Sequence, residues 1–194
     1  MRASSQRNAG APARIAIDRA GIARAATQVP SPNCDERPES AAITLLVIHG
    51  ISLPPGEFGG PGIVELFTNR LDPAAHPYYR DVAKLRLSSH FLIRRDGSLI
   101  QFIPCLKRAW HAGASSWRGR PACNDYSIGV ELEGADDTPY EAEQYATLAR
   151  LTRALARRYG IVDVAGHSEV APSRKTDPGP AFDWTMYRKM AKLA

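Results

Sequence analysis

Residues 43–48, I-T-L-L-V-I, form an apolar, largely β-branched run interrupted only by a threonine, and they lead directly into His49. The run has the length of a strand and no polar alternation, so it predicts a strand buried on both faces. Such a strand needs neighbours in a sheet and cover on each side. His49 is then expected at the strand's end, where sheet folds gather functional groups.

The rest of the chain supplies that sheet and its cover. Around Asp96-Gly97, H-F-L-I-R-R-D-G-S-L-I-Q-F predicts a hairpin. Residues 126–133 predict another strand, with Ile128, Val130 and Leu132 toward the core and Ser127, Gly129, Glu131 and Glu133 on the opposite face. Thr138-Pro139 with Glu141 resembles a capping box that opens a helix, whose apolar stripe is Tyr145, Leu148, Leu151, Leu155 and Tyr159 and whose stop is Gly160. I-V-D-V at 161–164 predicts a short strand before His167, the proline-rich stretch 171–180 a loop, and Asp183 the start of a last helix. The expected class is α/β in the mixed, α+β sense: a central mixed sheet flanked by helices, with a strand order that pattern cannot give.

At 194 residues the chain has room for one domain with an arm. Residues 1–27 carry Ala, Arg, Pro and Ser with little periodicity and are expected to be an N-terminal arm, partly disordered; residues 28–194 form the domain. The stretch 52–80 is rich in Gly and Pro, with room for a short helix over 63–69, and is expected to be a long loop of the kind that gates a site.

Composition excludes several classes. The hydrophobic content of 44% is enough for a core, and no apolar run approaches the ~18 residues of a membrane span. The N-terminus is basic but lacks the apolar segment of a secretory signal, which predicts a cytoplasmic protein. Cys34, Cys105 and Cys123 form no C-x-x-C pair, which fits reduced thiols. A net charge of +5 suits an anionic small molecule, and no nucleic-acid-reading motif accompanies it.

His49 and His167 each follow an apolar strand-like run, and Asp177 precedes a proline that biases its backbone to extended geometry. Two imidazoles and one carboxylate leave the fourth position of a tetrahedral zinc for water, the composition of an open hydrolytic site. The three are scattered through the chain, so an ordinary strand-end histidine and an Asx turn before proline explain each one singly. His76, His90 and His111 remain further candidates. Glu131 could act as a general base on the polar strand face, and Glu133 shares that face and cannot be separated from it by pattern. Lys175 lies two residues before Asp177 on the same side of an extended chain, though it also suits plain exposure beside Arg174. The rival chemistry is a cysteine hydrolase using Cys105 or Cys123.

Several stretches taken together, V-I-H-G-I-S-L-P-P-G-E-F-G-G-P-G, S-S-H-F-L-I-R-R-D-G, R-A-W-H-A-G-A-S-S-W, C-N-D-Y-S-I-G-V-E-L-E-G and G-H-S-E-V-A-P-S-R-K-T-D-P-G-P-A-F-D-W, resemble the zinc-dependent N-acetylmuramoyl-L-alanine amidases. The resemblance covers about residues 28–190 in consistent order. It implies the fold shared with phage amidase lysozymes and peptidoglycan recognition proteins, and one Zn2+ per chain. The implied activity is hydrolysis of the amide between the lactyl group of (1,6-anhydro-)N-acetylmuramic acid and L-alanine, in peptidoglycan recycling. The implied ligands are His49, His167 and Asp177, with Glu131 as acid/base and Lys175 assisting. Arg94, Trp110 and His111 would shape the substrate groove, which leaves His76, His90 and His111 outside the ligand set. The implied partner is a small muropeptide, with no nucleic acid, membrane or obligate protein partner. A muropeptide-binding sensor without catalysis is the alternative, because some members of the superfamily have lost a ligand. Close relatives commonly carry asparagine where this chain has Gly50.

Overall fold

A computed structural model describes residues 14–193. In chain order the elements are β1 (Thr27–Gln28), β2 (Cys34–Glu36), β3 (Leu45–Ile51), α1 (Gly62–Phe67), α2 (Tyr79–Val82), β4 (Phe91–Ile93), β5 (Leu99–Gln101), β6 (Lys107–Ala109), β7 (Ser116–Trp117), β8 (Arg120–Pro121), β9 (Ser127–Glu133), α3 (Ala142–Tyr159), β10 (Asp163–Gly166), α4 (His167–Val170) and α5 (Trp184–Ala191). Six strands make the main sheet in the order β1-β5-β4-β9-β3-β10. The neighbours β4, β9, β3 and β10 are parallel; β5 runs antiparallel to β4, and β1 is parallel to β5. The mixed sheet flanked by helices is as the sequence predicts.

The run at 43–48 becomes β3, and Leu46, Val47 and Ile48 have no solvent exposure at all. On one face of the sheet, Leu46, Ile48, Ile128, Val130 and Leu132 pack against Leu148, Leu151 and Leu155 of α3 and Tyr187 of α5. Truncating any one of these leucines to alanine would cost about 2–5 kcal/mol. On the other face, Leu45 and Val47 meet Ala112, Cys123, Tyr126 and Val170.

Four expectations need correction. The helix α3 starts at Ala142 with Glu141 as its N-cap, three residues past Thr138, because residues 135–138 close a turn of their own through the Thr138 N–H and the Ala135 carbonyl. Gln144 supplies the box by accepting from the Glu141 N–H at 3.0 Å. The strand expected at 161–164 is instead Asp163–Gly166, set by its parallel register with β3, Asp163 opposite Leu45 and Gly166 opposite Ile48. All of β9 is buried, its polar face included, since β3 and β4 flank it and loops cover it.

The fourth correction concerns the stretch 52–80, which is packed, not a bare loop. Leu53, Ile63, Leu66, Phe67, Leu71 and Tyr79 join Leu92, Phe102, Ile103 and Ala109 in a second hydrophobic cluster. Residues 14–27, part of the predicted arm, also lie on the domain: Ile15, Ala23 and Ala26 are buried, and Gln101 ties Gly21 and Ala23 to β5. Residues 1–13 lie outside the described residues.

Candidate active site

The parallel register brings distant residues to one place. His49 sits opposite Glu131, and Gly166, the last residue of β10, sits opposite Ile48, so His167 emerges beside His49. The carboxyl ends of β3, β9 and β10 therefore face one crevice, the usual binding position in open sheets with parallel strands. A cleft of about 550 Å³ opens there, lined by His49, Glu131, His167, Lys175 and Asp177 and walled by Tyr78, Leu85, Leu87 and Trp110.

His49 Nδ1 lies 2.9 Å from His167 Nδ1, His167 Nδ1 lies 3.1 Å from Asp177 Oδ2, and His49 Nδ1 lies 3.4 Å from the same oxygen. A tetrahedral ion at about 2.0–2.1 Å from each donor would hold them about 3.3 Å apart, so the triangle fits a zinc-sized cation. Among the described residues this is the cluster of three or more such donors able to hold a metal. Both histidines are almost fully buried, and burial pulls the His49 pKa down to about 4 against the opposing effect of Asp177, which keeps its ring neutral and ligand-competent. Burial alone would raise the Asp177 pKa; its contacts with His167, foremost, and His49 outweigh it and hold the carboxylate ionised.

The segment bearing Asp177 is pinned by its backbone. Ser168 N–H donates to the Asp177 carbonyl at 2.8 Å, and the Tyr140 hydroxyl donates to the Pro178 carbonyl at 2.9 Å. Arg174 donates to the Ala112 and Ala114 carbonyls, which fixes the loop's other end. The space over Gly50 Cα is filled by the Tyr140 hydroxyl: a Cβ built there would come within 2.3 Å of it.

The two glutamates that pattern could not separate are separated by their contacts. Glu133 is spent on structure: Oε1 accepts from Arg94 at 2.7 Å and from the Gly59 N–H at 2.7 Å, and Oε2 accepts from the Arg95 N–H. Glu131 faces the cleft and makes no side-chain hydrogen bond among the described residues. Burial, reinforced by the Asp177 charge and eased by Lys175, raises the Glu131 pKa well above that of an ordinary glutamate. A carboxyl group poised in that way suits proton transfer near neutrality. Lys175 is exposed on the cleft wall, and its ammonium has no hydrogen-bond partner among the described residues.

Of the groove residues, Trp110 and His111 line the cleft, whereas Arg94 is tied to Glu133 and the Gly60 carbonyl and does not. His76 and His90 stand apart from the triangle, His90 accepting from the Gly129 N–H and sitting next to Arg37. The cysteine alternative fails on geometry. Cys105 and Cys123 are fully buried, Cys105 is pushed up to about 12 by burial, and neither lines the cleft. Sequence reasoning missed Tyr140 as a pin and Ser127 and Gly129 as a seat for His111. The glycine inside the strand S-I-G-V-E-L-E was the available signal, since such a glycine marks a close approach.

Fold and donor set together place a His–His–Asp cluster that could hold a metal ion at the carboxyl ends of parallel strands. The chain belongs to the N-acetylmuramoyl-L-alanine amidase family, whose model matches residues 39–180. It is 56% identical over 167 residues to the 1,6-anhydro-N-acetylmuramyl-L-alanine amidase AmpD of Enterobacter cloacae, covering 85% of this chain and 89% of that one. A crystal structure of a selenomethionine derivative of AmpD superposes with a TM-score of 0.86 at 55% identity, over 88% of this chain and 97% of that one. The amidase AmiD of Escherichia coli, in complex with anhydro-N-acetylmuramic acid-L-Ala-D-γ-Glu-L-Lys, matches with a TM-score of 0.57 at 28% identity, over 80% of this chain and 60% of that one.

Proposed function

We propose that this chain hydrolyses the amide between the lactyl group of (1,6-anhydro-)N-acetylmuramic acid and L-alanine in muropeptides, as a cytoplasmic step of peptidoglycan recycling, with one zinc ion. The observation that carries the reading is the His49–His167–Asp177 triangle beside Glu131, an unpaired carboxyl group in the same cleft. The names of the relatives support the substrate class. No helix among the described residues is long and apolar enough to cross a membrane.

His49, His167 and Asp177 would hold the ion, which when bound lowers the pKa of water and polarises a carbonyl oxygen. Glu131 takes the proton from the attacking water. It then hands that proton to the nitrogen of L-alanine, which leaves as a neutral amine. The Lys175 ammonium, without a hydrogen-bond partner among the described residues, offsets the negative charge that develops on the carbonyl oxygen. Trp110 gives the cleft an apolar wall for the sugar or peptide stem, and Arg94 holds the turn at Gly59 and Gly60, donating to the Gly60 carbonyl and to Glu133, which accepts from the Gly59 N–H.

The test is to incubate the purified protein with an anhydro-muramoyl tripeptide and follow masses, with and without a zinc chelator. Free tripeptide and anhydro-sugar that cease with chelator and return with zinc are the expected result. An intact substrate in zinc-replete protein would overturn the reading in favour of a binding module.

A further inference from the structure

The hydrogen bonds behind His49 form a chain whose direction follows from its last member. The Cys123 carbonyl can only accept, and Ser127 Oγ lies 2.6 Å from it, so the single hydroxyl proton of Ser127 must sit on that line. The lone pairs of Ser127 Oγ then face His111 Nε2 at 3.1 Å, which makes Nε2 the N–H of that ring. A neutral imidazole carries one N–H and one lone pair, so His111 Nδ1 is an acceptor. Its partner at 2.9 Å is His49 Nε2, which must donate.

We propose that His111 is a positioning residue that locks His49 in the Nε2–H tautomer, leaving the bare Nδ1 aimed at His167 and Asp177. The proposal rests on the metal-site reading above, since a bare Nδ1 matters because it is the ligand atom. Histidines that bind metals generally donate their other N–H to an acceptor that fixes both tautomer and ring orientation. Here the acceptor is a second imidazole, whose one in-plane lone pair is more directional than a carbonyl or a water.

The strand is built to seat that second ring. A Cβ added at Gly129 would come 2.6 Å from His111 Cγ and 2.7 Å from Nδ1, so only glycine lets the ring lie against β9. Ser127, Gly129 and Glu131 alternate along one face of β9, which places the anchor of His111, its seat and the acid/base in one row. The rings of His49 and His111 meet edge-on, with centroids 5.0 Å apart and planes at 88°, the geometry of an N–H aimed along a neighbour's lone pair.

The direct test is a long-range proton–nitrogen NMR correlation on zinc-free protein labelled at histidine nitrogen, which reads tautomers without any substitution. Nε2–H patterns for both His49 and His111 are expected; an Nδ1–H pattern on either ring overturns the lock. The second test is the zinc dissociation constant by competition with a chromophoric chelator. His111→Ala should weaken binding about 10–100-fold. His111→Asn, whose Oδ1 can accept in place of Nδ1, should recover most of that loss. Wild-type affinity in His111→Ala would also overturn the lock, whereas a wild-type protein that binds no zinc but shows both Nε2–H patterns would sink the metal reading and leave the tautomer lock standing.

Discussion

The cleft has two sides that are held in different ways. On the sheet side, His49 and Glu131 are neighbours in a parallel register and sit 1% and 8% exposed, so strand pairing places them. On the other side, Lys175 and Asp177 belong to an irregular segment whose position depends on a few hydrogen bonds, from Tyr140, Arg174 and Ser168. The two histidines of the proposed metal site differ in a similar way at their second nitrogens. His49 has its second nitrogen engaged by His111, while His167 Nε2 is buried without a hydrogen-bond partner among the described residues. The difference teaches that strand pairing orients His49 and Glu131 in advance, and that on the metal reading Asp177 and His167 have more to gain from an ion.

The largest effect should come from the sheet side. Glu131→Ala should lower turnover about 10²–10⁴-fold, the range typical of a lost acid/base, with zinc content unchanged by elemental analysis. Full activity would remove Glu131 from the reaction. On the loop side, Lys175→Ala should lower kcat about 10²–10³-fold, as loss of an oxyanion donor does, with the substrate's KM little moved. A change confined to KM would make Lys175 a binding group only.

The same glutamate predicts an opposite effect on stability. Its folded pKa is raised above the ordinary 4.5, so the unfolded chain releases that proton first and stability falls as pH rises from about 4.5 toward the folded value. In zinc-free protein, Glu131→Gln should therefore melt higher than wild type at neutral pH, with the gap closing as pH falls to 4.5. The buried histidines act in the other direction. His49 and His90 are held by burial at about 4 and about 3, below the ordinary 6.5, so each contributes stability that is lost as pH falls from 6.5 toward those values. Thermal melts of Glu131→Gln across that range, where the glutamate no longer opposes the histidines, should show it, and a midpoint flat between pH 6.5 and 5 in that variant would contradict it.

The smallest expected effect tests the loop's pins. Tyr140→Phe removes the hydroxyl that holds the Pro178 carbonyl, and should cost about 0.5–1.5 kcal/mol of stability. Zinc affinity should fall modestly with it, because Asp177 is adjacent; a variant with unaltered melting and affinity would show that strand register and the remaining backbone bonds suffice.

Much of this site was legible in the sequence because its sheet side depends on local pattern. The unbroken apolar run into His49, the alternation around Glu131 and the turn pair Asp96-Gly97 are all local signals, and each became the expected strand or hairpin. The ligand set came from the resemblance, since residues so far apart in the chain carry no spacing signal of their own. What stayed hidden depends on through-space contacts. Leu53, Ile63, Leu66, Phe67 and Leu71 are scattered among glycines and prolines with no sustained period, so their packing into a second cluster could not be read. Pattern alone could not show that Arg94 and the Gly59 amide occupy Glu133, a choice the resemblance makes in favour of Glu131, and the role of His111 depends on a serine and a glycine sixteen and eighteen residues further along.

The most direct measurement is a zinc titration of chelator-stripped protein while peptide release from an anhydro-muramoyl tripeptide is recorded. Activity should be absent at the start, rise in proportion to added zinc and level off at one ion per chain. Turnover by the stripped protein, or none with one zinc bound, would contradict the assignment of His49, His167, Asp177 and Glu131 to a single metalloamidase site.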